Sequence, residues 1–195
     1  MSDKYILVLY YSQSGYTKKM AEEIALGIDS SDTSLSAKIR TVKPIGNQQD
    51  QSSDESYATL DELKSCSGLA LGSPCYFGNM AAPLKHFLDS TTSLWFNNNL
   101  TDKPAAVFTS TGSLHGGHES TLLTMSIPLI HHGMIIVGIP YTNTALIETT
   151  TGGTPYGASH MSGPSNTQPI DKIEKKLCNQ LGNRLANITH KLTQS

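Results

Sequence analysis

Tyr5-Ile6-Leu7-Val8-Leu9-Tyr10-Tyr11-Ser12-Gln13-Ser14-Gly15-Tyr16-Thr17 is the stretch on which the reading of the fold turns. Its first seven residues are continuously apolar, branched or aromatic, as a strand buried on both faces requires. Ser12–Tyr16 then breaks the run with small polar residues and a glycine. From Thr17 to Ile28 the apolar residues Met20, Ala21, Ile24, Ala25 and Ile28 recur at helical spacing. A doubly buried strand, a glycine turn and an amphipathic helix make the first half of a parallel crossover unit.

The alternation continues along the chain. Leu35–Val42, Leu69–Leu71, Pro104–Thr109 and Met134–Val137 read as further strands. Tyr57–Leu63, Ala81–Leu88, Glu119–His131 and Ile170–Leu192 read as helices, with Pro128 expected to kink or end the third of these. Pro44–Ser56 reads as polar loop, and Asn143–Pro169, rich in Gly, Thr, Ser and Pro, as a long functional loop. The expected fold is α/β: a doubly wound, five-stranded parallel sheet with helices on both faces, in a single domain over residues 1–195.

Composition narrows the function. The 195 residues suit one well-buried domain. A net charge of −2 gives no electrostatic reason for nucleic acid as a partner. No apolar run is long enough for a membrane span or a secretory signal. Cys66, Cys75 and Cys178 are odd in number and form no CxxC pair, which suggests reduced thiols and a cytoplasmic location.

Three loops leave the carboxyl ends of the strands, where open α/β sheets bind ligands. In Ser12-Gln13-Ser14-Gly15-Tyr16-Thr17, hydroxyls and a helix N-terminus suit a phosphate held without Lys or Arg. The Walker A and GxGxxG patterns are both absent from this turn. Alone, the same residues serve equally as an N-cap and a turn. Pro74-Cys75-Tyr76-Phe77-Gly78-Asn79 suits packing against a flat ring, or only a hydrophobic cap on the sheet. Ser110-Thr111-Gly112-Ser113-Leu114, with Gly116 and Gly117, offers backbone donors to a ring edge, or only a flexible loop. His115, His118, His131 and His132 are close in sequence but lack a zinc-ligand spacing, so no metal is expected. Trp95, judged on residue type, suits core packing.

The ordered set of motifs resembles the WrbA-type NAD(P)H:quinone oxidoreductases, FMN-dependent proteins of flavodoxin-like fold. The matching segments are Tyr10–Gly15, Gly72–Met80, Phe87–Asp89, Leu94-Trp95, Ser110–Glu119, His131–Met134 and Gly152–Ala158. The resemblance implies that Ser12–Thr17 hold the FMN phosphate and that Cys75–Phe77 and Ser110–Gly117 lie along the flavin ring. It implies that His132 contacts the flavin as the catalytic candidate. It also implies that Trp95 walls the quinone pocket, often from a neighbouring subunit, within a homotetramer built as a dimer of dimers. The implied reaction is a two-electron, ping-pong reduction of quinones by NADH or NADPH. Ser14 stands where these proteins carry an aromatic residue, and Cys75-Tyr76 where they carry Thr-Arg, so the nucleotide preference stays open. The fold also hosts one-electron flavodoxin carriers and non-catalytic FMN-binding regulatory modules. The near-neutral charge counts against the carrier.

Overall fold

A computed structural model describes residues 4–46 and 57–194. The elements follow in chain order: β1 (Tyr5–Tyr10), α1 (Tyr16–Asp29), β2 (Ser36–Thr41), α2 (Leu60–Ser65), β3 (Gly68–Tyr76), β4 (Asn79–Met80), α3 (Ala82–Asp89), α4 (Thr92–Phe96), β5 (Pro104–Thr111), α5 (His118–His131), β6 (Ile135–Ile136), α6 (Ala145–Glu148), β7 (Ala158–Met161) and α7 (Lys172–Thr193). The main sheet is parallel, in the order β2-β1-β3-β5-β6, with β7 also paired to β5. This is the flavodoxin-like order, and its switch point falls between β1 and β3.

Burial follows from the pleat. Ile6, Val8 and Tyr10 of β1 join α1 and α7 in one core, with Ile24, Ile28, Leu177, Leu181 and Leu185. Leu7 and Leu9 face the other way and pack with Leu63, Leu84, Leu88, Leu122 and Met125 from α2, α3 and α5. A strand buried on both faces therefore needs an unbroken apolar run, which β1 has. On the first face α1 and α7 approach almost backbone to backbone. A Cβ on Gly27 would sit 2.0 Å from the Asn179 carbonyl oxygen, and one on Gly182 would sit 2.1 Å from that of Ile24.

Several expectations change. Asn143–Pro169 is not simply a loop: it contains α6 and β7. The fifth position of the sheet is split, with Ile135–Ile136 beside Pro104–Ala105 and Ala158–Met161 beside Phe108–Thr111. The second piece is short and built from small or polar residues, so periodicity does not reveal it. Gly157 fits because a Cβ there would lie 2.0 Å from the Val107 carbonyl oxygen. β3 and β5 run past Leu71 and Thr109 to Tyr76 and Thr111, because each lends the other a ladder partner as far as Pro74–Ser110. The expected helix at Tyr57–Leu63 begins only at Leu60. Thr59 and Glu62 form a capping box there, and Tyr57 bridges to Thr41. α5 continues through Pro128 to His131 without ending. Residues 47–56 of the expected polar loop lie outside the described residues.

The α1–α7 contact leaves no room for a methyl group. Gly182→Ala is expected to cost about 1–3 kcal/mol, at about 2–4 °C in Tm per kcal/mol for a chain of this size. Thermal unfolding followed by circular dichroism checks this. An unchanged Tm would show that the helices separate freely.

Candidate functional site

The carboxyl ends of β1, β3, β5 and β7 enclose a cavity of about 220 Å³. It gathers Ser12, Gln13, Ser14, Tyr16 and Thr17 from the first loop, Pro74, Cys75 and Tyr76 from the second, and Ser110, Thr111 and Gly112 from the third. Gly15 is the N-cap of α1 with φ +83°, a left-handed conformation that glycine adopts freely. No side chain caps α1, and its first turn holds no acidic residue. The positive end of the helix dipole there suits an anion. The Ser12 hydroxyl is buried without a partner among the described residues. Thr17 Oγ1 and Ser110 Oγ, 3.0 Å apart, tie the first loop to the third. These features fit a phosphate group.

Ser162, Gly163, Pro164 and Asn166 close the cavity from the segment after β7, and sequence reasoning missed them. The Tyr16 hydroxyl donates to the Asn166 carbonyl (3.0 Å). The Gly-Pro pair at 163–164 was the available signal, but nothing in the sequence showed that a strand delivers it to this edge.

The second and third loops lock together beside the cavity. The Cys75 thiol donates to the Gly116 carbonyl (3.0 Å). Gly117, φ +100°, caps α5 where a Cβ would fall 2.9 Å from Gly78 Cα and 3.0 Å from Cys75 Sγ. The tip of the second loop carries Phe77 and Gly78 at φ +53° and +75°, with Phe77 fully exposed. Phe77, Gly78, Asn79, Ser113, Leu114, Gly116 and Gly117 border the cavity's loops without lining it. The Tyr11 hydroxyl donates to Gln13 Oε1 (2.6 Å). Burial, and then neighbouring Tyr76, pushes that hydroxyl above its ordinary pKa.

A buried polar layer backs the cavity. His118 Nε2 and Thr111 Oγ1 are 3.0 Å apart, and burial holds the His118 imidazole below its usual pKa. His160 Nδ1 lies 2.8 Å from Glu174 Oε2, with both side chains wholly buried. Burial pushes the Glu174 carboxyl up. The hydrogen bonds from His160 and the backbone outweigh it and leave the pKa below the usual carboxylate value. A depressed carboxylate stabilises the fold above its unfolded pKa, and that contribution disappears as pH falls through the folded one.

His132 and Trp95 do not join this cavity. They line a second one of about 530 Å³ with Met80, Leu88, Ile127 and Pro128, and no residue lines both. His132 Nε2 lies 2.8 Å from Thr91 Oγ1, while its Nδ1 is buried without a partner. Burial, then the neighbouring His131, lowers its pKa from the ordinary imidazole value, which favours the neutral form. Trp95 is not a core residue: it is 46% exposed, and its indole donates to the His131 carbonyl (2.9 Å). Phe96 packs edge-on against it. Beside this groove α5 exposes Leu123, Ile127 and Ile130 along one stripe. Among the described residues no cluster of three or more His, Cys, Asp or Glu could hold a metal ion, and no helix is long and apolar enough to cross a membrane.

The strand order, with its cavity at the carboxyl edge, defines a protein of flavodoxin-like fold. Solved structures agree on that fold. A WrbA-like flavodoxin from Agrobacterium tumefaciens superposes with a TM-score of 0.72 at 21% identity, covering 96% of this chain and 98% of that one. A flavodoxin from the domain Archaea gives 0.65 at 24% identity, covering 95% and 98%. The chain belongs to the NADPH-dependent FMN reductase family, whose model matches residues 5–146. It is also 37% identical over 202 residues to a protein named NAD(P)H dehydrogenase (quinone) from Syntrophobacter fumaroxidans, covering 97% of this chain and 99% of that protein.

Cysteine reactivity reports the site directly. Burial pushes the Cys66 thiol up to about 11 and the Cys178 thiol higher still, and both are enclosed, whereas Cys75 is half-buried at the cavity. A chromogenic disulfide reagent should titrate one thiol in the native protein and all three after denaturation. Cys75→Ser should abolish the native reaction. Fast modification of a second thiol would contradict the enclosure of the other two.

Proposed function

We propose that the chain is an FMN-dependent NAD(P)H:quinone oxidoreductase that reduces quinones to hydroquinones by two electrons. The observation that carries this is the uncapped start of α1 beside the buried, unpartnered Ser12 hydroxyl, a cradle without Lys or Arg. Family membership and the name of the full-length relative support the same reading. Ser12, Gln13, Ser14, Gly15, Tyr16 and Thr17 hold the FMN phosphate through hydroxyls and backbone N–H groups. The strand-edge loops Pro74–Asn79 and Ser110–Gly117 flank the ring. FMN, when bound, supplies the two-electron chemistry between nucleotide and quinone.

His132 and Trp95 are assigned to the quinone side. His132 is the candidate to exchange a proton with a quinone oxygen, which requires its Nε2 to release Thr91 or its buried Nδ1 to be uncovered. Trp95 and Phe96 offer a flat apolar wall. One chain leaves these residues in a cavity apart from the cradle, and the exposed stripe on α5 runs beside it. An exposed apolar stripe suits contact with another protein surface. We therefore assign the α5 face to pairing of copies in a homotetramer, in which the groove of one protomer completes the site of another. Three cysteines without a disulfide support a cytoplasmic setting.

Purified protein should acquire a flavin spectrum with FMN and oxidise NADH or NADPH with benzoquinone, giving parallel double-reciprocal lines. Intersecting lines would rule out the shared-pocket cycle. His132→Gln should lower kcat by about tenfold to a hundredfold with FMN affinity unchanged.

The double variant Leu123→Asp/Ile130→Asp should run as a smaller species in size-exclusion chromatography with light scattering. It should keep FMN affinity while losing most quinone reduction. Full activity in the smaller species would refute the shared site.

A further inference from the structure

The cavity lining contains no Lys or Arg, yet the group it suits is an anion. Two of its wall residues, Tyr16 and Ser110, back onto the same buried side chain. The His160 ring lies 4.8 Å from the Tyr16 ring, and His160 is the register partner of Ser110 on the adjacent strand. His160 is held in turn by Glu174. That carboxylate also accepts backbone N–H groups of Gly152, Met161 and Asp171 at 2.9–3.1 Å. A carboxylate with so many donors stays ionised, and a positive partner beside a buried negative charge relieves its burial cost. His160 is the group in contact. Its Nε2 is buried without a protein partner.

The other charged or titratable groups around it do not take this role. Asp171 on α7 is engaged in capping and accepts from Thr151. His118 on α5 is engaged with Thr111. Cys178 is a buried thiol. Lys19 lies over the Tyr16 ring at 5.5 Å but is itself exposed to solvent. Glu23 and Lys175 pair with each other.

We propose that His160 is the proton-linked cation of the phosphate cradle, a positioning residue that acts from behind Tyr16 and Ser110 and makes FMN binding take up a proton. The inference rests on the reading that the cradle holds the FMN phosphate. With a neutral imidazole, the Glu174 charge stands uncompensated behind the cavity wall and opposes an anion. With an imidazolium the pair is neutral. The two states differ at the phosphate by one full charge. Linkage is reciprocal, so a protonated His160 tightens FMN, and bound FMN retains the proton. Riboflavin has the same ring without the phosphate and is indifferent to it.

The test is calorimetric titration of the full chain with FMN and with riboflavin near neutral pH, in buffers of different ionisation enthalpy. Phosphorus NMR of bound FMN reads the ionisation of the phosphate. FMN should take up a substantial fraction of a proton with its phosphate dianionic, and riboflavin should take up none. His160→Gln should abolish the uptake. It should weaken FMN by about tenfold on the acid side of neutrality, the size of one partly screened charge. That ratio should approach one at alkaline pH, with riboflavin affinity unchanged. The proposal is overturned by equal uptake in both proteins, by a proton residing on the phosphate, or by equal loss of both flavins. If the variant does not fold, the comparison of the two flavins in the unaltered chain still decides. Failure of FMN to bind at all overturns the site reading itself, whereas FMN binding without proton uptake overturns only this proposal.

Discussion

Where β1 ends, a strand buried on both faces must hand over to a helix within five residues, and no side chain caps that helix. Gly15 in a left-handed conformation makes the turn, and as the N-cap it offers the first turn of α1 no side-chain acceptor. That deficit sets the polarity of the whole edge. It explains a ring of hydroxyls without fixed charge, the Thr17–Ser110 tie between loops, and the buried Ser12 hydroxyl waiting for an acceptor or donor. The sheet supplies the rigidity: β1 and β5 are buried almost throughout and β3 as far as Ser73, so the strands hold position while the end of β3 and the loops remain accessible.

The fold was legible wherever burial forced a pattern. Residues 5–11 and 104–109 could be read as strands because both faces are covered, and α7 because its apolar stripe faces one core. The fifth strand was legible only in its first piece. Ala158–Met161 is buried by its neighbours rather than by its own hydrophobicity, so tertiary context decides it. That the first loop lines the cavity at the sheet edge could be read from its hydroxyls, its glycine and the helix that follows. Ser162–Asn166 could not, because their role depends on a strand that the composition conceals. His160 carried no local signal either. Its meaning comes from Tyr16, Ser110 and Glu174, which are remote from it in sequence.

The separation of Trp95 and His132 from the cradle follows from which helices cover which face. Both belong to the layer of α3, α4 and α5, whose outer surface the single chain leaves apolar. The family's model ends at residue 146, before β7 and the residues that close the phosphate side. The chain thus divides its polar and apolar work between opposite ends of the second loop. Tyr76 sits on the cradle side, and Asn79 and Met80 sit on the groove side.

The divided fifth strand has a consequence for the protein in crowded solution. An edge strand exposes unpaired backbone groups that can recruit a strand from another molecule. Here that edge is two residues long in one place and four in another, with a helical segment rising between them. The opposite edge, β2, carries Lys38 and Arg40, both held by Glu62. Neither border offers the long, flat, uncharged ladder on which chains stack. The interruption that hid β7 from a reading of the sequence thus also serves to keep neighbouring molecules from zipping onto the sheet.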